Sequence, residues 1–217
     1  MGARHAPAPG GLPGRWGLTT AVSAPAGAAV AASAALLEEI ASALADVWGE
    51  PVGPLGLGHA CPACGGTDHG APTLTGLPTG RCALVSFTHV AVPGAPGMRV
   101  RLGAWWAGAG RGAGLGLDLE REDAPAFATD AALGDVAFSP RERGWLADHD
   151  EAARPAARAV LWTRKEAVVK AAGTGFTGDP TDVPALRPPA GMRVVDLDDT
   201  VVPGAVGALA FRVRRGR

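Results

Sequence analysis

An α+β fold made of two similar halves, each a small, mainly antiparallel sheet with packed helices, is what this 217-residue sequence predicts. Strand-like segments follow one another across short turns, where a doubly wound parallel sheet would alternate strand and helix. Helical periodicity is confined to one segment ahead of these strands and two behind them. A hydrophobic fraction of 47% and a net charge of -1 mark a globular chain, despite 32 glycines and 19 prolines. The lack of Tyr, Asn and Gln, with a single Ile, Ile40, reflects a codon bias toward Ala, Gly, Pro and Arg.

Residues 1–33 read as a flexible lead rich in Ala, Gly and Pro. From Ala34 to Trp48, Leu36, Leu37, Ile40, Leu44 and Val47 recur at helical spacing, with Glu38 and Glu39 off that face. A Gly- and Pro-rich loop is expected to about Gly80, followed by strands at "RCALVSFTHVAV" and "MRVRLGAWWA". After the turn at Gly108 to Gly114 comes a third strand, "LGLDLE". "FSPRERGWL" places Ser139 at an N-cap, Pro140 at the first helical position and Glu142 three residues past the cap, a capping box. A second helix from Ala153 or Ala156 to Ala172 should close at Gly173 and Gly175, and "MRVVDLDD" and "GALAFRVRR" supply the last strands. The halves are expected at 34–107 and 108–217.

The balanced charge gives no electrostatic footprint for nucleic acid or membrane. Three cysteines make no disulfide framework, so a reducing, cytoplasmic setting is expected. The uncharged stretch at 18–37 is dominated by Ala and broken by Pro25 and Gly27, too weakly apolar for a signal peptide or a span.

The chain holds only two lysines, Lys165 and Lys170, either side of Glu166 in "WTRKEAVVKAAGTGF". On a helix Trp162, Glu166 and Lys170 lie along one face with Lys165 on its flank. An ordinary Glu to Lys helical pair is the plain alternative, worth about 0.2–0.5 kcal/mol. Where arginine fills every other basic role, two clustered lysines point instead to a compact ammonium wanted against phosphate oxygens. In "GLGLDLE", Asp118 and Glu120 share one strand face while Leu117 and Leu119 point into the core. Two adjacent carboxylates repel, and a divalent cation would relieve this. Joined by Glu166, they offer three oxygen ligands to Mg2+, which leaves positions for substrate phosphates. Thr88 and His89 in "VSFTHV" could donate to a phosphate.

With these motifs in this order, the chain resembles the 4'-phosphopantetheinyl transferase superfamily, in its longer, surfactin-type, pseudo-dimeric branch. The family carries a Gly-x-Asp-x-Glu strand, then Trp-x-x-Lys-Glu-Ala-x-x-Lys on a helix ending in Gly-x-Gly. Gly116, Asp118, Glu120, Trp162, Lys165, Glu166, Ala167, Lys170, Gly173 and Gly175 fill these positions. Upstream, "CPACGGTDHGAP" and "SFTHV" resemble the family's Cys-x-x-Cys-Gly, His-Gly-x-Pro and Ser-His segments, with Thr88 for Ser.

The resemblance implies a pseudo-two-fold fold and transfer of the phosphopantetheine arm of coenzyme A to a serine of an apo acyl or peptidyl carrier protein, releasing 3',5'-ADP. It implies that Asp118, Glu120 and Glu166 bind Mg2+, that Glu166 accepts the serine proton, and that Lys170 stabilises charge on the phosphates. Thr88, His89 and Lys165 would contact coenzyme A phosphates, Lys165 alternatively forming an ion pair, and the Gly70 to Pro72 backbone would border the adenine. The nucleophile belongs to the partner, and two halves in one chain imply a monomer. The chain departs from the family in two places. Residues 1–50 carry only Arg4 and Arg15 where relatives have an Arg-rich segment, and Ala71 replaces a basic residue.

Two other readings are open to the sequence. The first is a catalytically weak or inactive carrier-binding relative. The second is a zinc-binding interaction module built on Cys61, Cys64, His69 and His59, against which His59 is crowded on Cys61 and Cys82 is distant. Trp162 is expected to be core packing.

Overall fold

The fold was read from a computed structural model, which describes residues 4–213 apart from 8, 24–27, 62–63, 68–69, 111, 130–132 and 134–135. The described strands are β1 (Arg4–Pro7), β2 (Arg15–Ser23), β3 (Gly56–Ala60), β4 (Ala71–Thr75), β5 (Ala83–Ala91), β6 (Arg99–Ala107), β7 (Gly114–Arg121), β8 (Met192–Leu197) and β9 (Ala205–Arg212). The principal helices are α1 (Ala28–Trp48), α2 (Pro140–Ala147) and α3 (Arg154–Ala172). The architecture is α+β, with every described strand pair antiparallel.

A four-stranded sheet runs β1-β2-β6-β5 and a three-stranded sheet β7-β9-β8, with β3 and β4 pairing separately. Both larger sheets repeat one connection: strand, helix, then two strands, the last pairing with the first. In the first sheet this is β2, α1, β5 and β6, and in the second β7, α3, β8 and β9. The sheets enclose a common core of Leu102, Ala104 and Trp106 against Leu115, Leu117, Leu119, Leu209 and Phe211. Trp16 and Trp106 both meet Phe211 edge to face, with centroids 5.7 and 5.3 Å away. Such pairs add roughly 0.5–1.5 kcal/mol each beyond their area burial.

Helices α1 and α3 each cover the outer face of a sheet. Leu36, Ile40, Ala43 and Leu44 of α1 are buried, and Ile40 and Leu44 pack with Val85 and Trp105. Ala167, Val168 and Ala171 of α3 pack on Ala208 and Ala210 of β9. The approach of α3 to β7 leaves no room for side chains. A Cβ on Gly114 would lie 1.9 Å from the Ala171 carbonyl oxygen, and one on Gly116 1.9 Å from that of Ala167. Glycine at these positions is therefore a packing requirement.

The strands and helices expected from Ala83 onward stand where the sequence placed them, and α2 opens with the full capping box. Helix α3 closes on left-handed Gly173, whose N–H reaches the Lys170 carbonyl. The amino-terminal expectation is corrected. Residues 15–23, assigned to a flexible lead, form β2 and pair with β6 at nine positions. Its buried positions are Gly17, Thr19 and Ser23, small or polar residues that carry no apolar alternation. The loop assigned to residues 49–80 likewise contains the β3–β4 hairpin, whose side chains are half-buried or exposed. Helix α1 starts at Ala28, ahead of Ala34.

Candidate active site

The two large sheets meet where β5 lies against β7. The Leu117 N–H donates to Ser86 Oγ at 2.9 Å, and Thr88 Oγ1 donates to Asp118 Oδ1 at 3.4 Å. Strand alternation then puts Gly116, Asp118 and Glu120 on the α3 side of β7, since Leu115, Leu117 and Leu119 fill the core. Above them, α3 presents Glu166 and Lys170 one turn apart. The result is a cleft of about 670 Å³ whose walls include Thr88, His89, Arg99, Asp118, Glu120 and Lys170.

Asp118 is 5% exposed and anchors the cluster. Its Oδ1 accepts from Lys170 Nζ at 2.6 Å, and the same ammonium donates to the Leu117 carbonyl at 3.1 Å. Its second oxygen, Oδ2, is buried with no hydrogen-bond partner among the described residues. Burial raises the Asp118 pKa and outweighs the lowering by Lys170 and Thr88. The Glu120 carboxyl is pushed up from 4.5 to about 7, first by burial, then by the charges of Asp118 and Glu166. Glu166 is raised by burial and by Asp118. Glu120 and Glu166 thus each register Asp118 as a repelling charge in a half-dry cleft.

Among the described residues, no group of three or more His, Cys, Asp or Glu side chains is gathered as a ready-made metal cage. The donor set nevertheless fits a hard divalent cation. An orphaned buried carboxylate oxygen costs roughly 1–3 kcal/mol or more, and two further carboxyl groups are held in mutual repulsion by burial. Oxygen ligands of this kind are what Mg2+ takes. Asp118 and Glu120 thus line one cleft, with Lys170 engaged on Asp118, and Glu166 lies near enough for its charge to act on Glu120.

Lys165, expected at a coenzyme A phosphate or alternatively in an ion pair, takes the ion pair. It is fully buried, and its ammonium donates to the Pro180 and Val183 carbonyls at 2.9 and 2.6 Å while pairing with Glu142 Oε2 at 2.8 Å. All three of its donors are used inside the protein. Glu142 is the capping-box carboxylate: it accepts from the Ser139 and Ala185 N–H groups, and it is 2% exposed. Burial pushes the Glu142 pKa up, but Lys165 and these N–H donors together hold it below the usual range. The "FSPRER" and "WTRKEA" segments are thus locked together by one buried ion pair, which local spacing could not reveal.

Thr88 and His89 both border the cleft from opposite faces of β5. The Thr88 hydroxyl is directed to Asp118, whereas His89 lies opposite Arg101 across the strands. Burial, then Arg99, Arg101 and Lys170, lower the His89 pKa against the raising charge of Asp118. Gly70 and Pro72 line a neighbouring, mostly apolar hollow of about 520 Å³ together with His59, Gly173 and Gly175. This hollow shares Phe87 and Lys170 with the first cleft. Gly70 has φ 97°, and a Cβ there would meet the Ala60 carbonyl oxygen at 2.6 Å. His59 Nδ1 lies 3.3 Å from the Gly70 carbonyl oxygen, and the Gly66 N–H donates to Cys64 Sγ at 3.3 Å. His69, part of the zinc reading, lies outside the described residues. Trp162 is half-buried and stacks on Phe176 with centroids 5.4 Å apart, so it caps the helix face without being enclosed.

Residues 114–205 match the family model of the 4'-phosphopantetheinyl transferase superfamily. The match spans β7, α2, α3 and β8, and so includes Asp118, Glu120, Glu166 and Lys170. A comparison with curated protein sequences returned no match. No helix among the described residues is long and apolar enough to cross a membrane.

Proposed function

We propose that the protein transfers the 4'-phosphopantetheine arm of coenzyme A to a serine of an apo acyl or peptidyl carrier protein, releasing 3',5'-ADP, as a surfactin-type transferase. The observation that carries this reading is the carboxylate cluster, with its orphaned Asp118 Oδ2, facing Lys170 within the superfamily segment. Asp118, Glu120 and Glu166 would hold Mg2+, which when bound supplies charge neutralisation on the pyrophosphate of coenzyme A.

The chain's own groups do the rest. Lys170, held by Asp118 and the Leu117 carbonyl, is oriented toward the cleft to meet negative charge building on the leaving phosphate. Glu166, with its carboxylate made more basic by burial and by Asp118, is the acceptor for the proton of the incoming serine hydroxyl. His89 is lowered toward its neutral form, so it meets a phosphate as a hydrogen-bond donor. The apolar hollow at Gly70 and Pro72 suits the adenine, which stacks on such surfaces. No nucleophilic side chain is required, because the carrier brings it.

The repeated strand, helix, strand, strand connection supports reading the two halves, 34–107 extended by β2 and 108–217, as a pseudo-two-fold pair; a monomer acting in the cytoplasm completes the proposal. Intact-mass spectrometry of an apo carrier protein, incubated with the protein, coenzyme A and Mg2+, is expected to show one added phosphopantetheine that EDTA prevents. No addition across fatty acid, polyketide and peptide carriers would overturn the reading and favour an inactive carrier-binding relative.

A further inference from the structure

All three cysteines of the chain are thiols. Cys82 lies outside the β3–β4 hairpin, whereas Cys61 and Cys64 sit three residues apart in the loop that joins its strands. That loop is tightly closed. The Cys61 N–H donates to the Gly66 carbonyl at 2.9 Å, and the Gly65 N–H donates to the Cys61 carbonyl, also at 2.9 Å. A bond from residue i+4 back to residue i is the α-helical one, and over one such turn the Cα atoms of residues i and i+3 stand about 5 Å apart. A disulfide spans Cα atoms roughly 4.4–6.8 Å apart. The Cys64 sulfur is directed back over the loop, where it accepts the Gly66 N–H at 3.3 Å. Cys64 is exposed and Cys61 half-buried, so small reagents reach the pair.

The same turn is tied to the apolar hollow. Cys61 forms part of its wall together with His59, Gly70 and Pro72. Gly70 is pressed against the start of the turn, since a Cβ there would lie 2.6 Å from the Ala60 carbonyl oxygen and 2.7 Å from the Cys61 Cα. From the facing strand, the His59 ring meets the Gly70 carbonyl oxygen at 3.3 Å. The hairpin itself is thinly anchored: its side chains are half-buried or exposed, and a two-stranded ribbon is marginal in water without a core beneath it. Whatever fixes Cys61 therefore fixes the Gly70 side of the hollow.

We propose that Cys61 and Cys64 are a reversible dithiol–disulfide site, oxidised by low-molecular-weight disulfides, and that the bridge stiffens the wall of the hollow; its effect on the substrate rests on the coenzyme A reading above. The thiolate of Cys64, the more open of the two, attacks the small disulfide, forming a mixed disulfide and expelling one thiol. The thiolate of Cys61 then attacks the Cys64 sulfur, closing the S–S bond and expelling the second thiol. Two protein thiols are oxidised, the S–S bond of the reagent is reduced to two thiols, and the protons lost by the cysteines pass to the expelled thiolates. The turn already holds the spacing that a bridge needs, so oxidation preserves the hollow and makes it more rigid. Rigidity in the binding conformation raises affinity by lowering the cost of ordering on binding.

The test uses the full-length protein, equilibrated with glutathione disulfide or with glutathione, blocked with iodoacetamide and mapped by trypsin. Cleavage after Arg15 and Arg81 separates a segment holding Cys61 and Cys64 from Cys82. After glutathione disulfide that segment is expected to carry neither alkyl group nor glutathione, and after glutathione to carry two alkyl groups. Under the oxidising condition, a segment still doubly alkylated or carrying only glutathione adducts would overturn the site. Isothermal titration with coenzyme A and Mg2+ is expected to show about threefold tighter binding to the bridged form, a difference that a Cys61→Ser/Cys64→Ser double variant removes. Equal or weaker binding by the bridged form would overturn the link to the hollow and leave the coenzyme A reading standing. Failure of both forms to bind coenzyme A would overturn that reading, while the mapped bridge would still stand.

Discussion

The raised Glu120 carboxyl makes a prediction about the metal-free protein whose sign is opposite to ordinary acid denaturation. Its ordinary value is 4.5 and the fold pushes it up to about 7, chiefly by burial and then by Asp118 and Glu166. Between those values the folded chain binds more protons than the unfolded one, so stability must fall as pH rises through the window. The full gap corresponds to about 3 kcal/mol at ~1.4 kcal/mol per pH unit, and solvent screening at this half-exposed side chain reduces it to about 1–2. Roughly half of that, about 1 kcal/mol, falls between pH 5.5 and pH 8.

Other groups titrate nearby. Asp118 and Glu166 are raised and act with the same sign. His89 is lowered, so it favours the fold above its unfolded value of 6.5 and loses that contribution as pH falls. Glu142 is lowered and acts only in more acidic solution, where stability is lost as it protonates. The readout is therefore the difference between wild type and Glu120→Gln, measured by urea unfolding in EDTA from pH 5.5 to 8. The variant should gain about 1 kcal/mol on wild type over that range. Mg2+ should stabilise wild type most at pH 8, where the carboxylates are charged, and this gain should shrink in the variant. A flat difference across pH would refute the claim that Glu120 sits in a desolvated, mutually repelling cluster.

Other perturbations separate chemistry from architecture. Asp118→Ala and Glu166→Gln should each abolish carrier modification, seen by intact mass, with the circular dichroism spectrum retained; near wild-type rates in both would remove the site assignment. Lys165→Met should cost about 3–5 kcal/mol in urea unfolding by stranding the buried Glu142 carboxylate, and a loss under 1 kcal/mol would contradict the buried pair. Gly116→Ala should cost at least about 3 kcal/mol or prevent soluble expression, because the new methyl meets the Ala167 carbonyl. Trp162→Ala should cost about 2 kcal/mol, less than the ~3–5 of an enclosed aromatic, since one face rests on Phe176 and the ring is half-open to solvent.

How much of this was legible in the sequence depended on whether the signal was local. The β5, β6 and β7 segments alternate or run apolar, and the capping box and the terminal glycines of α3 fix helix ends within a few residues. All of them stand in the structure. Strand β2 was missed because what it buries is Gly17, Thr19 and Ser23; its place is set by pairing with β6, a partner some eighty residues away. The hairpin β3–β4 was missed for a related reason, since it buries little and so imposes no apolar period on its sequence. Arg99 carries no motif, and only the fold brings it to the wall of the cleft.

The two lysines show the limit most directly. They share a helix, a rarity in the composition and a flanking glutamate, and the sequence alone leaves Lys165 between a phosphate and an ion pair. Five residues on an α-helix amount to about 140° of rotation, so they cannot serve one side. Lys170 turns to Asp118 and the cleft, while Lys165 turns to Glu142 and the carbonyls of Pro180 and Val183. A compact ammonium with three donors suits both places: a converging set of carbonyl and carboxylate acceptors in one, the charge of a reacting phosphate in the other. Arginine, with a rigid planar fork, would not close the buried set around Lys165 without displacing the 180–183 turn. That explains a lysine there without any ligand. On the proposed function the motif acts through Glu166 and Lys170, while Lys165 fixes α3 against α2 and the Pro180 turn.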